Sequence, residues 1–139
     1  MTVRLVSGAP ASASALSALY ASVGWSAHAE DPARLRRAID ASTYVCTAWE
    51  GDDLVGLLRA SSDEVYLCFI HDLLVAPTQQ RRGVGRRLVE RCLEAHPDVA
   101  RFTLLTDAAP GPIGFYRALG FDLIGDDEPR LAALIRARG

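Results

Sequence analysis

The sequence contains no lysine; all fifteen of its basic side chains are arginine. The simplest account is a compositional bias of the genome, though arginine also favours planar, forked contacts with anions over point-charge ones. The absence excludes a P-loop, whose GxxxxGK[ST] motif needs a lysine at the phosphates. Charge of one sign is also lacking. The net charge of −2 gives no strong global field toward nucleic acid or a membrane surface. Cysteine is scarce, and Cys46, Cys68 and Cys92 show no CxxC spacing. They sit in apolar runs and read as buried thiols of a reducing compartment. No apolar run approaches the length that crosses a bilayer. Residues Met1 to Val6 alternate apolar and polar groups and lack the hydrophobic segment of a signal peptide. These absences predict a soluble cytoplasmic protein. There is no internal repeat and no linker, and 139 residues suit one domain, residues 1–139.

Half of the residues are hydrophobic, enough for a core, and their periodicity orders the chain. Val3–Val6 reads as a strand. Pro10–Val23 reads as a helix, with Leu16, Leu19, Tyr20 and Val23 at helical spacing. After a break at Gly24, Asp31-Pro32 signals a second helix ending near Ser42, an acidic cap followed by proline in the first turn. Tyr44–Trp49 and Leu54–Ala60 form a hairpin around Gly51-Asp52-Asp53. Val65–Val75 reads as a long central strand buried on both faces, in which His71 and Asp72 are unusual polar members. A helix from Gly83 or Val84 to Ala95 follows, then a strand at Arg101–Thr106, a helix at Pro112–Leu119 closed by Gly120, and a strand at Phe121–Ile124. The tail Leu131–Arg136 fits helix or strand equally. The step from the long strand through a helix to Arg101–Thr106 is a βαβ crossover, hence parallel. An α/β fold with a mixed sheet and helices on both faces is predicted.

The chemistry concentrates where the long strand ends, at Asp72-Leu73-Leu74-Val75-Ala76-Pro77-Thr78-Gln79-Gln80-Arg81-Arg82-Gly83-Val84-Gly85-Arg86. A strand stops and a glycine-rich turn opens a helix. Helix starts expose unpaired N–H groups and partial positive charge, which stabilise an anion. Gly83 and Gly85 remove Cβ atoms that hold a phosphate away, and Arg81, Arg82 and Arg86 add forked donors. This is the composition of a diphosphate site. It is not the dinucleotide fingerprint GxGxxG, because Leu88 occupies the position of the third glycine.

The run Gln80-x-x-Gly83-x-Gly85 resembles the Q/R-x-x-G-x-G/A signature of the GNAT N-acetyltransferases. Phe115-Tyr116-Arg117-Ala118-Leu119-Gly120-Phe121 resembles the family's FYxxLGF segment. One helix and one strand separate the two, as in the family. The stretch "DLLVxPxxQRRGxG", with Gly24-Trp25 upstream, is similar to small bacterial members and to the arylalkylamine branch, the serotonin type. The resemblance covers roughly Leu54 to Phe121 and implies the GNAT acyl-CoA N-acyltransferase fold. It also implies acetyl-CoA as co-substrate and direct attack by a primary amine in a ternary complex.

On that resemblance the backbone of Leu73, Leu74 and Val75 would pair with the pantetheine arm. Donors on the same edge would face the thioester oxygen. Gln80, Arg81, Arg82, Gly83, Val84, Gly85 and Arg86 would hold the diphosphate, and Tyr116 would protonate the leaving thiolate. The base that takes the amine proton is open between Asp72, His71 and Asp107; Asp72 is placed with Tyr116 in the catalytic set, and His71 reads as a satisfied histidine before it reads as a base. The family often has a carboxylate on this strand, at a position that falls on Phe69 here. Ala108-Ala109-Pro110 stands where many relatives carry asparagine. Asp72 reads equally as a buried partner for an arginine such as Arg59. His71 and Asp72 point to opposite faces unless a bulge intervenes. Trp25 and Trp49 read as core or pocket wall, and His28 and Glu30 lie where the family's first helices wall the acceptor site. The acceptor is a small-molecule amine or a protein N-terminus, no metal is needed, and dimerisation is common in the family. Two readings compete. One is a coenzyme A sensor without turnover. The other is a nucleic-acid module using the arginine helix, against which stand Glu90, Glu94 and the acidic net charge.

Overall fold

The computed structural model describes residues 2–8, 11–125 and 131–138. They form two compact units that divide between Leu104 and Leu105. The first unit holds a five-stranded sheet in the order β1 (Val3–Ser7), β2 (Tyr44–Glu50), β3 (Asp53–Ser62), β4 (Leu67–Val75) and β5 (Arg101–Leu104). The first three junctions are antiparallel, and β4 to β5 is parallel, as the crossover requires. Helix α1 (Ala13–Ser22) is capped by Ser12, whose hydroxyl accepts from the Ala15 N–H. The predicted start at Pro10 lies outside the described residues. The short helix α2 (Ser26–Ala29) follows Gly24, and α3 (Pro32–Ala41) has the expected cap at Asp31 with proline behind it. Helix α4 (Val84–Ala95) links β4 to β5.

The helices of this unit lie on both faces of the sheet. Leu16, Leu19 and Tyr20 of α1 and Leu35 and Ile39 of α3 bury against Val45, Leu57 and Leu74. Gly56, the neighbour of Leu57, points the other way, and a Cβ there would lie 3.3 Å from Cδ1 of Leu88 in α4. Alternation along β3 therefore places α4 opposite α1 and α3.

Strand β4 departs from expectation in three ways. It starts at Leu67, because Val65 and Tyr66 belong to the turn after β3. There Asp63 accepts the N–H groups of Val65, Tyr66 and Leu67 on one carboxylate oxygen. Its burial alternates rather than covering both faces, and His71 is exposed. Its register with β3 slips by one residue: Arg59 faces Asp72, but Ala60 faces Ile70. His71 is the extra residue of a β-bulge.

In the second unit α5 (Pro110–Ala118) begins two residues before the predicted start, with Pro110 in its first turn. Its end explains the FYxxLGF segment. Gly120 is left-handed at φ +93°, its N–H reaches the Arg117 carbonyl, and the Phe121 N–H reaches the Tyr116 carbonyl. The rings of Tyr116 and Phe121 pack 5.7 Å apart across this turn. This is a Schellman motif with its apolar contact. The predicted strand Phe121–Ile124 is not formed. Only Ile124 makes an isolated bridge, and Gly125 turns the chain at φ +103°. The tail is neither helix nor strand. Residues 131–138 make no regular backbone pattern, and Leu134 and Ile135 are exposed.

Gly56 supplies a test of this packing. An alanine Cβ would meet Ala48 Cβ at 3.2 Å and the Leu74 carbonyl at 3.3 Å. Because one of these is backbone, the strain cannot relax into a side-chain rotation. Gly56→Ala is expected to lose about 1–3 kcal/mol, the usual cost of overpacking. Thermal unfolding followed by circular dichroism should show a lower Tm, and an unchanged Tm would contradict the tight packing around Gly56.

Candidate active site

The end of β4 and the start of α4 build the first half of the site. Pairing of β4 with β5 runs from Leu67 opposite Arg101 to Ile70 opposite Leu104 and stops there. Leu73, Leu74 and Val75 remain paired with β3 on their other side. The strands thus part where the sequence analysis expects a pantetheine edge. The chain then turns through a short 3-10 helix at Pro77–Gln79. The Gln80 side-chain amide donates to the Val75 carbonyl at 3.0 Å, which ties the loop back to the strand it leaves.

Two residues of this loop are left-handed, Arg81 at φ +65° and Gly83 at φ +80°. Glycine takes that conformation freely, whereas arginine does so at a cost. Gly83 is the N-cap of α4, and no side chain caps the helix. The Arg87 N–H donates to the Gly83 carbonyl and closes the first helical turn. The N–H groups of Val84, Gly85 and Arg86 precede it and lack partners within the helix. No acidic side chain stands in the first turn. An uncapped, acid-free helix start beside exposed Arg81 and Arg82 fits a diphosphate. Of the remaining arginines, Arg86 pairs with Glu90 at 2.6 Å and Arg87 donates to the Val3 carbonyl at 2.9 Å. Both contacts compete with a nucleic-acid backbone for these side chains.

The bulge at His71 decides the second half. Two registers fix the faces: Leu57 is opposite Leu74 on the α1 face, and Arg59 lies opposite Asp72 on that same face. Ser61 follows by alternation, opposite Phe69. His71 packs its ring against Phe69 and bonds through Nε2 to Ser61 Oγ at 2.7 Å, so it lies there too. Both sequence candidates, His71 and Asp72, therefore share one face of the sheet. Asp72 is buried, and its Oδ2 accepts from Tyr20 Oη at 2.8 Å and from Arg59 Nε at 2.5 Å. It is a paired buried carboxylate, the ion-pair alternative of the sequence analysis. Burial and then Asp72 push the Tyr20 phenol well above its usual range. Burial, followed by the Arg59 charge, lowers the His71 imidazole below its usual value despite the opposing pull of Asp72. A lowered pKa keeps the ring neutral and able to accept a proton at neutral pH.

Tyr20 was legible only as a helix-face residue, because its partner lies 52 positions away. It also anchors an aromatic group. His28 stacks on it at 5.4 Å, and Trp25 tilts against both rings at 5.8 Å. Trp25 and His28 are exposed, whereas Tyr20 is buried. Glu30 is exposed and makes no part of this stack. Trp49 instead donates to Thr47 within β2.

Asp107 and Tyr116 belong to the second unit. Asp107 is exposed, with its carbonyl accepting the Ala109 N–H. Tyr116 is half-buried against Phe115 and Phe121, and burial pushes its phenol up to about 12. Cys46, Cys68 and Cys92 are free and buried, as expected. Among the described residues no helix is long and apolar enough to cross a membrane.

Comparison with known proteins agrees with this geometry. A sequence model of the acetyltransferase (GNAT) family matches residues 13–121. An N-acetyltransferase of the ycf52-like kind from Prochlorococcus marinus is 32% identical over 112 residues, 78% of this chain and 61% of its own. Serotonin N-acetyltransferase 2, chloroplastic, of Oryza sativa is 33% identical over 131 residues, 89% of this chain and 62% of its own. The chain thus spans about three-fifths of the length of these curated relatives. The solved structure of a GNAT-family acetyltransferase from Streptococcus pneumoniae superposes with a TM-score of 0.84 at 27% identity, covering 99% of this chain and 100% of that one. The mixed sheet with its flanking helices is the fold of these proteins, and the chain belongs to the GNAT acetyltransferase family.

Proposed function

We propose that the protein is an N-acetyltransferase that moves the acetyl group of acetyl-CoA onto a small primary amine by direct attack in a ternary complex. The observation that carries this reading is the uncapped start of α4, with left-handed Gly83, set directly after the end of β4 that β5 leaves unpaired. Acetyl-CoA supplies an activated thioester. The chain's own residues do the rest. The N–H groups of Val84, Gly85 and Arg86, with Arg81, Arg82 and Gly83, hold the diphosphate, and Gln80 fixes the loop. The free backbone edge of Leu73, Leu74 and Val75 aligns the pantetheine arm as an added strand and points donors at developing negative charge. The family match runs across both units, which supports one catalytic domain over residues 1–139.

His71 takes the amine proton. It is exposed and neutral, and it lies on the face that carries Trp25 and Tyr20. Asp72 acts as a positioning residue: its charge holds Arg59 and Tyr20, and through them the wall of the acceptor side. Tyr116 protonates the departing thiolate, since its raised pKa keeps the phenol protonated through the physiological range. The aromatic group Tyr20–Trp25–His28 and the rice relative named for serotonin both support an amine carried on an aromatic ring. The same reading carries a cytoplasmic homodimer, with the family resemblance as its support.

The test is acetyl transfer from acetyl-CoA to a panel of arylalkylamines, aliphatic amines and peptides with free N-termini. The arylalkylamines should give the highest kcat/KM, and a preference for peptides would overturn the small-amine reading. Tyr116→Phe should lower kcat by about 100-fold or more without a matching change in KM, as removal of a general acid does. An unchanged kcat would remove Tyr116 from the mechanism.

The pH profile tests His71. A base with a lowered pKa loses activity only as pH falls through that value, so the acid limb of kcat/KM should lie below the ordinary histidine value of about 6.5. His71→Gln should abolish that limb and slow the reaction at neutral pH, with recovery as pH rises and more free amine is present. A limb that survives the substitution would assign the base elsewhere.

A further inference from the structure

Beneath the opposite face of β4 lies a group of side chains that acetyl transfer does not use. Cys68 of β4 and Cys92 and His96 at the end of α4 are all buried. Their two sulfur atoms and one imidazole nitrogen lie within 4.8 Å of one another. We propose that Cys68, Cys92 and His96 form a binding site for a thiophilic divalent cation of the Zn²⁺ class.

The donor set is the first argument. Two sulfurs and an imidazole, with no carboxylate among them, select soft or borderline ions over Mg²⁺ or Ca²⁺. Cys92 lies in the last turn of α4 and His96 is its C-cap, with Nδ1 3.9 Å from Cys92 Sγ, so the two come together at the helix end. In tetrahedral zinc sites, bond lengths of about 2.1–2.3 Å put neighbouring ligand atoms about 3.5–3.8 Å apart. The observed spread requires a contraction of about 1 Å, within reach of side-chain rotation.

Charge is the second argument. A divalent cation replaces the hydrogen of each thiol and releases two protons. The neutral cluster becomes a neutral metal dithiolate, so no net charge is left in the core. His96 must stay neutral. Its Nδ1 is 2.8 Å from the Cys92 carbonyl and 3.9 Å from Cys92 Sγ. Binding at Nδ1 moves the ring hydrogen to Nε2 and keeps the imidazole uncharged.

The surroundings are the third. Tyr44 and Phe102 present ring edges to His96 at 5.2 and 6.2 Å, the apolar shell that strengthens metal–ligand bonds. Pro97 and Asp98, which follow His96, are exposed, so the helix end offers a short path from solvent. A bound ion would tie β4 to α4, the two elements that bracket the diphosphate loop.

The test uses the full chain, reduced and freed of metal by a chelator. Co²⁺ should give a near-ultraviolet thiolate charge-transfer band that saturates at one ion per chain. Zn²⁺ should displace it, release two protons per ion and raise Tm. Cys46→Ser should behave as the wild type. Cys68→Ser and Cys92→Ser, checked for folding by circular dichroism, should each lose the band and the Tm rise. Absence of the band in the wild-type protein overturns the proposal whatever the variants do. So does equal metal uptake by the Cys68→Ser/Cys92→Ser double variant.

Discussion

The placement of the chemistry depends on one extra residue in β4. Without the bulge at His71, strict alternation would carry Asp72 to the same face as Cys68, under α4. Its charge would then point toward the buried, mostly apolar face of α4 that Val84, Leu88 and Cys92 form. The slip turns Asp72 toward α1 instead, where Tyr20 and Arg59 meet it. A buried carboxylate is tolerated only when paired and hydrogen-bonded, so the bulge and the pair require each other. The same slip leaves Cys68 facing α4, which is why one strand serves two unrelated polar clusters.

The second constraint follows from where β4 stops pairing. The sheet closes β4 against β5 only as far as Ile70, and the chain then enters the loop before α4. The helix gains nothing from a cap at its start. Stability that a serine or aspartate at the N-cap would supply, typically about 1 kcal/mol, is forgone at the position where an anion can supply it instead. Left-handed Arg81 adds to that local cost. A ligand that filled the helix start would stabilise the native state and so link binding to folding at this loop.

Much of this was legible in the sequence. The caps at Asp31-Pro32, the hairpin around Gly51 and the parallel crossover follow from turn chemistry and periodicity. The turn between β4 and α4 was legible as a helix start, because Gly83 and Gly85 suit a chain reversal with left-handed backbone. The Tyr20–Asp72–Arg59 cluster was not, because its members lie on three elements far apart in sequence. The bulge was legible only as a condition: the adjacent polar pair His71-Asp72 in an apolar strand raised it, and only the pairing with β3 decides it. The Cys92–His96 pair carried a local signal, a cysteine and a histidine at one-turn spacing, but its third member comes from β4. Phe121–Ile124 has a strand's composition, yet a strand needs a neighbour over several residues, and only Ile124 finds one.

The central claim is that the start of α4 holds the diphosphate of acetyl-CoA. Calorimetric titration with acetyl-CoA, of the wild type and of Gly83→Trp, tests it most directly. The account predicts micromolar binding by the wild type, about −8 kcal/mol, that disappears in a variant which still folds. No binding by the wild type, or equal binding by the variant, would contradict it.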